Sequence, residues 1–285
     1  MHSILFTGGS GFIGSNILNN IQHKYKIYAI QRKESKNIII KSKNIKIIYF
    51  DNYKILDDKL KKIKVDTVIH CATHYKKKHN LDDIKKFAMS NILLGNIILE
   101  NLKIMKVKKF INFTTTWENQ DGVLRNPKNL YAAYKDGFNS LVQFYKKNST
   151  SVKFIDLVIV DTFGNNDKRE KIINTLKLNY KKNKITKIIS KNLYLNLINV
   201  EDIVSAINIV LEKNVKSGKY ILKNANFISI FNLIKYINRN IKKKIKIKWS
   251  SKIKIKDKYS NYKKLKSWKP KKSNIKNIKN LILNY

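Results

Sequence analysis

A tyrosine and a lysine one helical turn apart, Tyr131 and Lys135 in the run Tyr131-Ala132-Ala133-Tyr134-Lys135, are the pair in this 285-residue chain best spaced to do chemistry. On a helix that spacing sets both side chains on one face. A free phenol, with a pKa of about 10, is a poor acid or base at neutral pH. A neighbouring ammonium stabilises phenolate and draws the value toward the working range. Tyr134 is the competing phenol, but it adjoins Lys135 in sequence and points elsewhere. In a chain this rich in lysine the spacing arises readily by chance, so its meaning depends on what precedes it.

What precedes it is a phosphate loop. Thr7-Gly8-Gly9-Ser10-Gly11-Phe12-Ile13-Gly14 follows the first apolar run directly and opens an amphipathic stretch. Gly8 permits a tight turn, Gly11 lets backbone approach a pyrophosphate, and Gly14 permits close packing of helix on strand. Phe12 and Ile13 lie in the first helical turn, whose free N–H groups and partial positive charge face the phosphates. The second strand ends in Gln31-Arg32-Lys33, where an acid would bind the adenine ribose hydroxyls of NAD. An acid repels a 2′-phosphate and a cation pairs with it, so Arg32, aided by Lys33, points to NADP(H), with NAD(H) the alternative. Asp51, closing the third strand, is placed to accept a hydrogen bond from the adenine amino group.

These residues require a frame that brings strand ends together. From Ser3 to about Asp161, apolar runs (Ile4–Thr7, Ile27–Gln31, Ile45–Phe50, Thr67–His70, Phe110–Thr115, Lys153–Ile159) alternate with helix-length stretches (Gly11–Ile21, Asp82–Met105, Leu130–Tyr145). That alternation predicts parallel strands joined by helical crossovers, an α/β Rossmann-type doubly wound sheet over residues 1–164. Beyond Gly164 the pattern loosens: helices near Lys171–Tyr180, Glu201–Leu211 and Ile230–Ile237, strands near Ile185–Ile189 and Tyr220–Leu222. This reads as a smaller α/β substrate lobe, 165–285, interleaved with the first. The Lys-rich segment Lys242–Lys272 reads as solvated surface, with an edge strand at Ile245–Lys248.

Composition narrows the setting. The 43% hydrophobic content suffices for a large core. The lone Cys71 cannot form an internal disulfide, no apolar run approaches the roughly 20 residues of a membrane span, and Met1-His2-Ser3 begins no secretion leader, so a cytoplasmic protein with no membrane partner is expected. The formal charge of +41 would suit a nucleic-acid binder. Yet the chain has four arginines (Arg32, Arg125, Arg169, Arg239) and no clustering of Arg with aromatic residues of the kind stacking and bidentate contacts need. With Ile and Asn also abundant, the lysines read as base-composition bias written onto the surface, and no nucleic-acid partner is expected.

With these motifs in order, the chain resembles the extended short-chain dehydrogenases, the NAD-dependent epimerase/dehydratase family, over essentially its whole length. His70-Cys71-Ala72-Thr73 resembles the fourth-strand motif, which implies that Cys71 and Ala72 lie along the cofactor. Asn91 resembles a helix Asn that helps to organise the active site, and Asn199–Ile203 and Ser267–Pro270 resemble two late signatures. The resemblance implies Tyr131 and Lys135 as catalytic residues, with Lys135 also on the nicotinamide ribose, and a strand-end hydroxyl as third member: Thr115, with Thr116 second. No acidic pair follows Thr115, which disfavours dehydration. Thr115-Thr116-Trp117, Asn129–Ala133 and Asp161-Thr162-Phe163-Gly164 look most like reductases of 4-keto-6-deoxy sugars carried on CDP and related nucleotides. A nucleotide-sugar substrate and a homodimer through Asp82–Met105 and Leu130–Tyr145 are implied. The rival activities are an NAD-dependent 4-epimerase and, from another class, a non-catalytic NADP-binding or RNA-associated protein. Leu195 stands where many members carry a phosphate-binding Arg; Lys168 or Arg169 are the nearby cations. No metal site is expected.

Overall fold

The computed structural model describes residues 1–35, 42–76 and 78–283. Its first part alternates β1 (Ser3–Thr7), α1 (Phe12–Ile21), β2 (Lys26–Arg32), β3 (Ile45–Phe50), α2 (Tyr53–Lys61), β4 (Thr67–His70), α3 (Leu81–Ala88), α4 (Leu94–Glu100), β5 (Lys109–Thr115), α5 (Leu130–Asn148) and β6 (Lys153–Ile159). Then come β7 (Asp161–Phe163), α6 (Ile172–Lys181), β8 (Thr186–Ile188), β9 (Leu193–Leu195), β10 (Leu197–Asn199), α7 (Val200–Glu212) and β11 (Gly218–Leu222). Last are β12 (Ile228–Ser229), α8 (Ile230–Arg239), β13 (Ile247–Trp249), β14 (Ile255–Lys256), β15 (Lys263–Lys264) and α9 (Ile275–Leu283).

Eight strands form one sheet in the order β3-β2-β1-β4-β5-β6-β11-β15, and every pairing in it is parallel. Both faces are covered, which is why β4 and β6 read as near-continuous apolar runs. On one face Ile17, Ile21, Ile203 and Ile207 of α1 and α7 pack on Ile4, Phe6 and Ile155. On the other Leu56, Ile98, Phe138 and Val142 of α2, α4 and α5 pack on Leu5, Val68 and Phe110. Strand order reverses between β1 and β4, and there the two sets of crossovers diverge to leave a crevice above the strand ends.

A second core gathers Phe163, Ile173, Leu176, Ile188, Leu233 and Ile278 beneath α6, α8 and α9. The chain does not stay in it: α7 returns to the large sheet and β11 pairs with β6 from Gly218 to Leu222. The two late sequence signatures meet each other here. Asp202 accepts hydrogen bonds from the backbone N–H of Lys271 and Lys272, and Trp268 Nε1 donates to the Asp202 carbonyl at 3.0 Å. They clasp the C-terminal segment to α7 rather than entering the crevice.

Two differences from the sequence expectation have local causes. Helix α2 escaped notice because only Leu56 and Leu60 of its nine residues are buried, too sparse an apolar stripe to register. The Asp82–Met105 stretch is not one α-helix: a π-helical turn, Met89–Leu93, joins α3 to α4 and carries Asn91. Among the described residues no helix is long and apolar enough to cross a membrane.

Candidate active site

The glycine loop is built by exclusion of side chains. Gly8 has φ +75°, and a Cβ there would lie 2.6 Å from the Ala72 nitrogen; a Cβ on Gly14 would lie 2.1 Å from the Gly8 carbonyl oxygen. Strand β1, α1 and the end of β4 therefore approach only because these two positions lack side chains. Gly11 N–H donates to the Gly8 carbonyl at 3.0 Å. Gly11, the N-cap of α1, offers no side-chain acceptor, so the first-turn N–H groups are left for a ligand. Thr7 secures the β4 end: its hydroxyl accepts from Ala72 N–H at 3.1 Å and meets His70 Nδ1 at 3.0 Å, while its carbonyl accepts from Cys71 N–H at 3.2 Å.

Above these strand ends opens a cleft of about 1050 Å³, large enough for a dinucleotide and a second ligand. Gly8, Gly11, Phe12, Ile13, Gly14, Arg32, Cys71, Ala72, Thr115, Tyr131 and Lys135 all line it. Asp51 does not: it lies outside the lining, its carboxylate 2.5 Å from Lys33 Nζ, a hydrogen bond that holds its pKa below the usual carboxylate range. Arg32 reaches the cleft from the end of β2, with Glu34 3.7 Å away. The cradle that a Cβ would fill, the open N-terminus of α1 and the Arg32 guanidinium together fit a dinucleotide with its pyrophosphate on the glycine loop.

At the other end the strand-end threonines separate. Thr115 is half-buried on the cleft wall, whereas Thr116 begins a short 3₁₀ turn, is 6% exposed and lies off the wall. Tyr131 and Lys135 share one face of α5, whose N-cap Asn129 accepts from Ala132 N–H at 3.0 Å. The expected lowering of the Tyr131 pKa is not found. Burial raises it, Glu118 adds to the rise, and the hydrogen bond with Thr73 opposes it. Burial likewise lowers Lys135, with Glu118 opposing. For both groups desolvation is the largest cause of the shift.

The sequence reading singles out Asn91, which stands just behind the cleft wall, but neither Tyr75 nor Lys171 on it. Asn91, 1% exposed, accepts from His74 N–H at 2.6 Å and donates to the His74 carbonyl at 3.1 Å, which fixes the loop that carries Tyr75. Tyr75 meets the Tyr131 ring edge-on at 5.2 Å. Lys171 pairs with Asp161 at 2.9 Å and lies 4.0 Å over the Trp117 ring. No local pattern marks Tyr75 or Lys171; they come together through three separate loops. Leu195 is packed at the edge of the second core. The cations on the cleft are instead Lys168, Arg169 and Lys171, and Arg169, held by Asp167 at 2.8 Å, stacks over Phe12 at 4.4 Å. Asp161 is the one acid among the described lining residues, against Arg32, Lys135, Lys168, Arg169 and Lys171. Such a wall favours an anionic ligand.

Parallel sheet, switch-point cleft and glycine cradle define a dinucleotide-dependent α/β enzyme of the Rossmann class. The chain belongs to the NAD dependent epimerase/dehydratase family, whose model matches residues 4–223. The CDP-abequose synthase of Yersinia pseudotuberculosis is 28% identical over 219 residues, spanning 76% of this chain and 75% of its own. The dTDP-D-glucose 4,6-dehydratase of Dictyostelium discoideum is 32% identical over 246 residues, spanning 75% of this chain and 56% of its own. Among solved structures, the UDP-glucuronic acid 4-epimerase from Bacillus cereus, in complex with UDP-glucuronic acid and NAD, superposes with a TM-score of 0.80 at 20% identity, covering 98% of this chain and 99% of its own.

Proposed function

We propose that this protein is an NADPH-dependent reductase of a 4-keto-6-deoxy nucleotide sugar. The observation that carries the reading is the make-up of the wall beside Thr115. Tyr131 and Lys135 face the cleft there, and the one carboxylate among the described lining residues, Asp161, is neutralised by Lys171 at 2.9 Å instead of following Thr115 as an acid pair that drives elimination. Thr116 is buried off the wall, Trp117 is aromatic, and Glu118 is 0% exposed and hydrogen-bonded inward. The relatives named CDP-abequose synthase support a deoxysugar on CDP. The cationic lining supports a diphosphate-linked substrate.

In this reading the Thr115 hydroxyl holds the keto oxygen as charge develops on it, and the Tyr131 phenol donates the proton that completes the alcohol. A raised phenol pKa suits a donor, because it keeps the proton in place at neutral pH. Lys135 secures the ribose and neutralises charge beside Tyr131. The bound nicotinamide supplies hydride. Arg32 selects the 2′-phosphate, and Lys168, Arg169 and Lys171 take the sugar nucleotide's diphosphate. Self-association uses the face of α3 and α5, where Leu81 and Phe144 are 80% and 60% exposed.

A 4-epimerase is the second reading, favoured by Glu34 in the turn beside Arg32. The test is to titrate the purified protein with NADPH and NADH by fluorescence and then supply CDP-4-keto-6-deoxyglucose. Selective NADPH binding and stoichiometric NADPH consumption are expected. NAD retained through purification, with interconversion of nucleotide sugars and no net cofactor oxidation, would put the epimerase first.

A further inference from the structure

Beneath the cleft lies a chain of buried polar groups that the proposed reaction does not use. Glu118, 0% exposed, accepts from Thr115 N–H at 3.0 Å through one oxygen and from Asn139 Nδ2 at 2.5 Å through the other, with Lys219 Nζ 3.5 Å away. Asn139 in turn accepts from Asn112 Nδ2 at 3.3 Å, and the same Asn112 nitrogen donates to Asp156 at 3.0 Å. Asn139 stands one turn beyond Lys135 and two beyond Tyr131 on α5, so all three share a helical face. A single carboxylate thus ties the strand end that presents Thr115 to the helix face that presents Tyr131 and Lys135, and both to β11.

Burying a carboxylate is unfavourable unless its partners offset the lost solvation. A packed apolar side chain would fill the same space. What the carboxylate supplies besides volume is geometry across three elements and an ionic partner for Lys219, 3.5 Å away.

We infer that Glu118 is a positioning residue: it locks Thr115 in register with Tyr131 and Lys135 and serves as the buried ionic partner of Lys219 beneath them. The inference rests on the reading of Thr115, Tyr131 and Lys135 as the reacting groups. The groups that face Glu118 are Lys219 on β11, Lys135 and Tyr131 on α5, and Asp156 on β6. Those acting on Tyr131 from the other loops are Thr73, Tyr75 and Arg169. Removing the Glu118 charge leaves Lys219 and Lys135 less compensated, so both the Tyr131 phenol and the Lys135 ammonium lose protons more easily.

The experiment compares wild type, Glu118→Gln, Asn139→Ala and Tyr131→Phe in the full chain. NADPH binding and thermal melting are recorded, and Tyr131 ionisation is read as the ultraviolet difference between each protein and its Tyr131→Phe counterpart. In E118Q, Tyr131 is expected to ionise at lower pH, the alkaline limb of kcat to move down with it, and kcat to fall about 10- to 100-fold with NADPH affinity unchanged. N139A, which breaks the tie without changing charge, lowers kcat and leaves the Tyr131 titration where it was. Wild-type titration and kcat in a folded E118Q overturn the inference. So does wild-type kcat in N139A, which decides the matter if E118Q does not fold. Y131F that retains full activity refutes the assignment of the reacting groups instead, and the titration of E118Q against its Y131F counterpart still reports the charge.

Discussion

The two ends of the cleft hold their ligands by opposite means. At the glycine loop the binding surface is backbone: side chains are absent where β1, α1 and β4 meet, and a Cβ on Gly14 would stand 2.1 Å from the Gly8 carbonyl. At the far end it is all side chain, with Trp117, Tyr75 and the Lys171–Asp161 pair at 2.9 Å arriving from separate loops. The first arrangement tolerates almost no substitution at Gly8 and Gly14. The second tolerates substitution and decides which sugar fits. A fold can thus keep its cofactor end and exchange its substrate end, which is why epimerases, dehydratases and a synthase fall among its relatives.

The contrast can be broken most sharply where the two ends meet. Tyr131→Phe removes the phenol proposed as proton donor and is expected to lower kcat about 10²- to 10⁴-fold while leaving NADPH binding and melting temperature unchanged. An undiminished kcat would refute its role. Next in size, Gly14→Ala should abolish cofactor binding and cost about 1–3 kcal/mol of stability in denaturant titration, because the loop and α1 must move apart. A stable, binding-competent Gly14→Ala would show that the cradle yields.

Smaller effects separate the ends. Arg32→Ala is expected to weaken NADPH about 10- to 100-fold, the worth of one or two charge-assisted hydrogen bonds, and to leave NADH unaffected. Lys171→Met should do the reverse, raising KM for the nucleotide sugar about tenfold with cofactor affinity intact. If either variant changed both affinities equally, the division of labour would fail.

The smallest effect lies in the frame that both ends share. Asp66 accepts from Ser3 N–H at 3.0 Å and Ser3 Oγ at 3.1 Å, tying β4 to the start of β1. The backbone bond from Ser3, then the Ser3 hydroxyl, hold its carboxyl below the usual range despite partial burial. With a lowered native pKa, its stabilisation is present above the ordinary carboxylate pKa and lost as pH falls through the native value. Asp66→Asn should therefore lower the melting temperature slightly at pH 7 and flatten its decline on the acid side. An unchanged acid profile would show that the bond contributes nothing.

Much of this was legible in order along the chain. The glycine spacing, the apolar runs and the Tyr131–Lys135 interval are local, and local patterns survive in sequence because strand and helix periods are short. Asp51 marks the limit at the cofactor end: its place at a strand end was readable, but its capture by Lys33 at 2.5 Å depends on a turn from another strand. Glu118 marks it at the other. In sequence it is an acid in a polar turn, and its burial under α5 follows only once β5, β6 and β11 lie side by side.

By itself, then, the sequence determined the parallel sheet, the phosphate cradle and which helix face carries Tyr131 and Lys135, since each is set by residues within a few positions of one another. Tertiary structure alone decided that Thr115 and not Thr116 lines the cleft, that burial lifts the Tyr131 phenol, and that Tyr75, Lys171 and Glu118 belong to the site. Those outcomes depend on desolvation and on contacts between residues tens of positions apart. Neither exists until the chain has closed around them.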